Sequence, residues 1–571
     1  MTDQPTAQHD TLEAEAWLDE FFAAYYAARP VNATFIGVHD HDHRLPDLTA
    51  NGTGDVVSVM RDLLSRCPAG ALPWFLDADL RLARGYLRTQ LWEWESDHFR
   101  RGNPCVFTGE AIFGVMSLFL TDFAPLTDRV DLATSRLAAV PAFLASARKT
   151  IENSPVAWTE RAIRECDGAL AFLTDGVPLL LEPQPLRAAA IRRFEAAAET
   201  AAAAFARFRA WLDTELRGRS RNGVACGEEV LDLLIREGHC LSIPAPDIER
   251  HARVRLQEAV SYLAAHAADF GAATSAEALR LLGRLHPPLD HYYPRYGQIL
   301  AEVRARAEAH DLLTWPDFPI RFVPQPDWAR KAAPHLYFLF YRSPAAYGRP
   351  PVHDYLVTPI EESMPAEEQA RLLRTTNDSV IHLNHVIHHG GIGHHIQNWH
   401  AFRSPSRVGR IAAVDCASRI AMFCGGTMAE GWACYATDLM AEHGALSPLE
   451  RYAEVQSRAR MCARAIVDVR LHQGRFSLAD AVRFYEDYAG MSPAAANTEA
   501  VRNSMFPGTA LMYLMGSDGI HELRNEIASI EGGRFSLRRF HDTLLSFGSI
   551  PVTMIAALMT GRALPGEGTQ P

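Results

Sequence analysis

Apolar residues recur at three- and four-residue spacing along most of this 571-residue chain. No other feature restricts its fold as much, because that period buries one face of an α-helix. The spacing predicts helices over Leu12–Ala28, Leu80–Leu91, Leu132–Asn153, Trp158–Thr174 and Leu186–Leu216. The last is alanine-rich, with arginine and glutamate on its polar side. Asp247–Phe270, Ser275–Leu285 and Tyr293–His310 continue the series. So do Arg407–Phe423, Met428–His443, Leu449–His472, Ser477–Tyr488 and Pro507–Glu531. Strand signals are confined to Phe318–Val323 and Asp354–Thr358, short β-branched runs bounded by prolines. Between them, Pro324–Pro351 is rich in proline and aromatics and reads as irregular but packed. The expected class is mostly α, with a small β-sheet beside a histidine-rich segment. The chain divides near residue 310 into an N-terminal helical lobe, 1–310, and a catalytic half, 311–565, within one continuous fold unit. No 20–50-residue period recurs, which argues against a solenoid.

Composition narrows the function. The formal charge is −12 with no long basic run, which excludes nucleic acid and anionic membrane as natural partners. Met1–Ala14 is polar and acidic, without the basic and apolar regions of a signal peptide. No run approaches the roughly 18–20 apolar residues of a membrane span. The nine cysteines are dispersed, without a Cys-x-x-Cys pair, and read as reduced thiols of a cytoplasmic protein. Cys416, Cys424 and Cys434 lie near the histidine segment and read as small core residues.

Seven of the 24 histidines fall between His382 and His400. Imidazole is the commonest transition-metal ligand and the usual proton carrier near neutral pH. With Thr375–His389 as an α-helix advancing about 100° per residue, His385, His388 and His389 share one face. Two imidazoles three or four residues apart can chelate one ion. Gly390, Gly391 and Gly393 disfavour a regular continuation. A break there lets His394 or His395 swing back toward His388; in an unbroken helix His388 and His395 would stand about 10 Å apart. Spacing alone does not choose between His394 and His395. The competing view of each histidine is a polar face or a buried hydrogen-bond network. A second histidine-rich stretch, His39-Asp-His-Asp-His43, reads as a solvated loop tip or adventitious metal binder.

A carboxylate follows in Met428-Ala-Glu430-Gly-Trp-Ala-Cys-Tyr435. Glu430 sits in an apolar helical run, where burial costs several kcal/mol unless the group is paired or metal-bound. Its structural alternatives are a salt bridge or a helix N-terminal acid. Two histidines, then a glutamate on a later helix, is the ligand order of gluzincin-type metallopeptidases.

These motifs resemble the bacterial domain of unknown function 885 family, whose members are similar to zincin-like metallopeptidases. Its usual signature is His-Glu-x-x-Pro-Gly-His-His-x-Gln, then Glu-Gly-Trp-Ala-x-Tyr-Ala-Glu. The chain matches at His388, Gly393, His394, His395 and Gln397, and again at Glu430, Gly431, Trp432, Ala433, Tyr435 and Ala436. Val467-Asp468-Val-Arg-Leu-His472, Glu499-Ala-Val-Arg502 and the run from Pro507 to Gly516 agree with later elements. Phe35–His39 and Leu45–Leu48 agree near the N-terminus. The resemblance spans nearly the whole chain and implies a mostly helical zincin-like fold. Its departures bear on chemistry. The signature glutamate, the general base that takes a proton from metal-bound water, is His389 here. The signature proline is Ile392, and the last glutamate is Thr437.

The residues so assigned are His388, His394 and Glu430 as metal ligands, with His395 the alternative to His394. His389 is the candidate base or an added ligand. Tyr513 is a candidate oxyanion stabiliser, with a packed core tyrosine as the competing role. His472, one turn from Asp468, forms a candidate carboxylate–histidine pair, or only an internal helix bond. Arg502 is a candidate anchor for a substrate carboxylate, or only an ion-pair partner of Glu499. The expected cofactor is one divalent transition metal, zinc first, with iron or manganese also suited to a two-His, one-carboxylate site. The leading expectation is a metallohydrolase acting on a small molecule or short peptide through an amide or ester bond. The alternatives are an iron or manganese oxygenase or lyase, and a non-catalytic descendant that keeps its metal.

Overall fold

A computed structural model describes residues 4–182, 186–336, 343–416 and 420–565. The fold is mostly α, and the described residues contain one sheet of two strands. Ile320–Pro324 (β1) pairs in parallel with His353–Val357 (β2), Ile320 opposite His353. Both strands lie within two residues of the expected segments. The exposed Arg321 and Asp354 side chains pair at 2.7 Å on one face. His353, Tyr355 and Val357 are buried on the other.

Predicted and observed helices agree closely where capping signals are strong. Ser447 caps Pro448–His472 through a reciprocal capping box with Glu450, and Pro448 occupies the first turn. Several helices start six to eight residues before the expected position, as at Gln4, Trp74 and Leu126, and Ala50–Ser65, Pro104–Met116, Leu537–Ser546 and Val552–Thr560 are helices where none was expected. Three further departures bear on the site. Arg407–Ile411 is only a short helix, after which Asp415 and Ile420 form an isolated antiparallel bridge. The helix expected from Pro507 begins at Met512, because the buried Asp468 carboxylate accepts the backbone N–H groups of Gly508, Ala510 and Leu511 and holds that stretch as a turn. The segment expected as an α-helix from Thr375 is wound instead as a π-helix, Val380–Gly390.

Two clusters of buried apolar side chains hold the fold together, and both cross residue 310. The larger runs from Ala14 through Trp94 and Trp158 to Trp432 and Ile555. The smaller joins Leu231–Ala278 to Tyr452–Leu514. Helices Gly426–Glu442 and Met512–Glu531 make one of the closest crossings, Gly431 against Gly516. A Cβ on Gly516 would lie 2.0 Å from the Thr427 carbonyl oxygen, so the two backbones touch only because neither position carries a side chain. Among the described residues no helix is long and apolar enough to cross a membrane.

Candidate metal centre

The π-helix decides which histidines meet. Its hydrogen bonds span one residue more than those of an α-helix, which separates the three histidines that α spacing would align. His385 turns to the sheet: its Nδ1 lies 2.5 Å from the Tyr355 hydroxyl, with the Tyr296 ring beside it. His388 and His389 turn the other way and line a cavity of about 360 Å³. The shared face expected for His385, His388 and His389 is therefore not formed.

The glycine break brings the next ligand back. Gly393 N–H donates to the Ile387 carbonyl at 2.8 Å, doubling the chain on itself. A new helix, His394–Ala401, starts there. Trp432, two residues beyond Glu430, donates its indole N–H to the carbonyls of Ile392 and Gly393 at 3.0 and 3.2 Å. One helix thus supplies the glutamate and clamps the break.

The result is a compact donor set. One oxygen of Glu430, Oε2, lies 3.5 Å from His388 Nε2 and 3.5 Å from His394 Nε2. Those spans are long for hydrogen bonds, and Oε2 is sealed from solvent without a hydrogen-bond partner. They are close to the separation, about 3.3 Å, of two tetrahedral ligands each near 2.0 Å from one zinc ion. His389 joins the group: donor atoms of His388, His389 and His394 lie within 4.8 Å of one another. Its Nδ1 bonds the Asn384 carbonyl at 2.7 Å, which fixes the proton on Nδ1 and turns Nε2 into the lone-pair nitrogen.

The electrostatics match a cation. Burial lowers the His388 pKa and pulls that of His389 well below the ordinary imidazole value, the charges of neighbouring histidines adding to the effect on both. Burial alone would raise the Glu430 carboxyl, yet the two imidazoles beside it hold it well below the usual carboxylate range. A buried carboxylate held ionised between the His388 and His394 rings calls for a compensating positive charge, which a divalent ion would supply. The residues present fit a divalent ion.

The other assigned residues separate. His395 lies outside the donor set: its Nε2 bonds the Phe318 carbonyl at 2.7 Å and its ring stacks on Phe318. That removes it as the alternative to His394. His472 is fully buried and does not line the cavity. Its Nε2 bonds the Asn503 carbonyl at 2.9 Å and stands 3.7 Å from Asp468. It helps pin the 503–511 stretch rather than meeting a ligand, so a catalytic role for it is not supported. Tyr513 and Arg502 do line the cavity, and the Arg464 guanidinium lies 4.7 Å from the centre of the Tyr513 ring. Cys416 and Cys434 reach the wall without joining the donor set. The His39–His43 stretch is no solvated tip: Asp42 is fully buried, bonded by His39 and facing Arg136.

Three contributors carried no signal as single residues. Trp432 was visible only as a motif position. Arg460 and Arg464 were two of many arginines on a helix of mixed polarity, and only the packing turns them toward the cavity.

A family model described as "Bacterial protein of unknown function (DUF885)" matches residues 30–559. No curated protein matches the chain. Two solved structures are similar over nearly their whole length. One is a presumed lipoprotein of unknown function from Shewanella oneidensis, 21% identical with a TM-score of 0.72, covering 96% of this chain and 99% of that one. The other is a presumed lipoprotein from Colwellia psychrerythraea, 15% identical with a TM-score of 0.75 and the same coverages. At these identities the likeness is one of fold.

Proposed function

The chain belongs to the DUF885 family, and from that premise we propose that it is a zincin-like, metal-dependent enzyme hydrolysing an amide or ester bond in a small molecule or short peptide. The observation that carries the reading is the Glu430 oxygen, buried without a hydrogen-bond partner and 3.5 Å from both His388 and His394. His388, His394 and Glu430 would hold the ion, zinc first. When bound, the ion would supply a Lewis acid and a water of lowered pKa.

The chain's own residues supply the rest. His389, its proton held on Nδ1 by Asn384, offers Nε2 to accept a proton inside the cavity. Its depressed pKa makes it a weaker base than an ordinary imidazole, so slow turnover is expected. Tyr513 contributes a hydroxyl donor for a developing oxyanion. The cavity, about 360 Å³, is at the small end of ligand pockets and suits a metabolite or a very short peptide.

A second reading has its own observation. The His389 donor atom falls within the same 4.8 Å group, so it can act as a third imidazole ligand. That would leave no base at this position and so favours a non-hydrolytic reaction, and the His388, His394 and Glu430 donors also suit iron or manganese. Metal analysis of protein purified without chelators separates the two. Stoichiometric zinc, lost in His388→Ala and Glu430→Ala, supports hydrolysis; stoichiometric iron or manganese supports the second reading. Protein that binds none of these metals sinks both. His389→Glu is then expected to raise hydrolysis of short amides in the zinc form only.

A cytoplasmic location belongs to the same proposal. Among the described residues no disulfide is formed, which suits a reducing compartment. Recovery of the native protein in the membrane or periplasmic fraction would reverse it.

A further inference from the structure

Three guanidiniums reach the wall of the cavity, together with the carboxyl groups of Asp415, Glu430 and Glu454. Arg460 and Arg464 stand one turn apart on helix Pro448–His472, and Arg502 comes from Pro493–Met505. Arg464 is engaged: its Nε donates to Glu499 at 2.9 Å. Arg502 lies 4.0 Å from the same carboxylate oxygen. Burial opposes ionisation of Glu499, but the Arg464 and Arg502 charges prevail and hold its pKa to about 2. That carboxylate is therefore committed.

Arg460 differs. It lines the cavity and forms no hydrogen bond or ion pair with any described residue, and its Nε is sealed from solvent without an acceptor. Burial, and then the neighbouring Arg464, pull its pKa below the ordinary guanidinium value. Arginine nevertheless stays protonated in proteins. Among the described residues the only counter-charge near Arg460 is the Glu499 carboxylate, which it feels at a distance and shares with Arg464 and Arg502. A guanidinium kept charged with no hydrogen-bonded acceptor in a cavity beside a candidate reaction centre has the donor geometry for a planar oxyanion.

We propose that Arg460 anchors the substrate by a side-on pair with a carboxylate, Arg464 standing behind it, oriented by Glu499 and Tyr513. The substrate class is then a small amide or short peptide bearing a free carboxylate. The planar, forked donor set of one guanidinium matches a carboxylate edge, and phosphate is the competing oxyanion that the test must exclude. The inference rests on the hydrolase reading for what happens to the bound molecule, but not for the anion site itself.

Calorimetric titration at low ionic strength tests it, with N-acetyl-alanyl-alanine, its C-terminal amide and inorganic phosphate as probes. Each is run on metal-loaded and on chelator-treated full-length protein. The expected result is binding of the acid at least about tenfold tighter than of the amide, with or without metal. Arg460→Ala erases that preference, and Arg460→Lys keeps part of it. Arg460→Met, which should be no less stable to heat than the parent, shows that loss of preference is not loss of fold. Equal binding of acid and amide, binding of neither, or binding of phosphate alone overturns the proposal, as does a preference surviving in Arg460→Ala. A preference for the acid in protein that never binds metal would leave the anion site standing and remove the hydrolase reading.

Discussion

Gly393→Ala should dismantle the proposed metal centre while leaving its candidate ligands in the sequence. A Cβ at Gly393 would lie 1.9 Å from the His388 carbonyl oxygen and 2.6 Å from the Ile387 carbonyl oxygen. An ordinary carbon–oxygen contact is about 3.3–3.6 Å, so the backbones of residues 388 and 393 must part by more than about 1 Å. Both clashing atoms are main chain, and no rotamer change relieves them. Metal bonds tolerate only about ±0.2 Å, so His388 and His394 cannot both stay on one ion. Disturbing a supporting residue around a metal typically costs about 10–100-fold in affinity. Moving a ligand should cost at least about 100-fold, or roughly 2.8 kcal/mol. The overpacking itself should cost roughly 1–3 kcal/mol of folding stability. Zinc affinity is read by competition with a chromophoric chelator and stability by thermal unfolding. Gly297→Ala is the control, because nothing lies within 4 Å of its Cβ. Folded Gly393→Ala protein with parental zinc affinity would refute the claim that this backbone approach builds the site.

Three further outcomes are expected. Trp432→Phe removes the donor shared by the Ile392 and Gly393 carbonyls; it should cost roughly 1–3 kcal/mol of stability and about 10–100-fold in zinc affinity, and unchanged affinity would dissociate the clamp from the site. His395→Ala loses the bond to Phe318 and the stack on its ring; it should lower stability by roughly 2–4 kcal/mol with zinc stoichiometry unchanged, and loss of zinc would restore His395 as a ligand. Acid should unfold the protein steeply. Burial lowers the pKa of His98, His239, His385 and His541 to about 4, so the unfolded chain binds more protons than the folded one between pH 6.5 and 4. Stability is then full above pH 6.5 and falls as pH drops toward 4, by up to about 3 kcal/mol per histidine. Denaturant titrations at pH 7 and pH 5 measure the difference, and equal midpoints would contradict it.

The helical fold was largely legible because each helix carries its own period and often its own cap. The two strands were legible to within two residues for the same reason: β-branched runs end at prolines. The errors share a cause in non-local contacts. The Asp468 carboxylate takes the N–H groups that would have opened a helix at Pro507. Arg407–Phe423 has helical composition, yet its α-helix ends at Ile411, and Ala413, Asp415, Cys416, Ile420 and Phe423 line the cavity. Asp468 and His472 looked like a catalytic pair because their spacing is right. Burial turns them into a support for the opposite wall.

Local chemistry in the sequence set the inventory of the centre: a dense run of imidazoles, glycines that break it, and one glutamate in an apolar helix. It also set the position of His389 directly after His388. Only the tertiary structure chose among them. One extra residue in each hydrogen-bonded turn sends His385 to the sheet and His388 and His389 to the cavity. The close approach at Gly393 delivers His394 and leaves His395 on Phe318. Arg460 could not be recognised from the sequence at all, because its meaning is the absence of a partner. A lone charge is defined by everything that packs around it, and sequence spacing does not encode that.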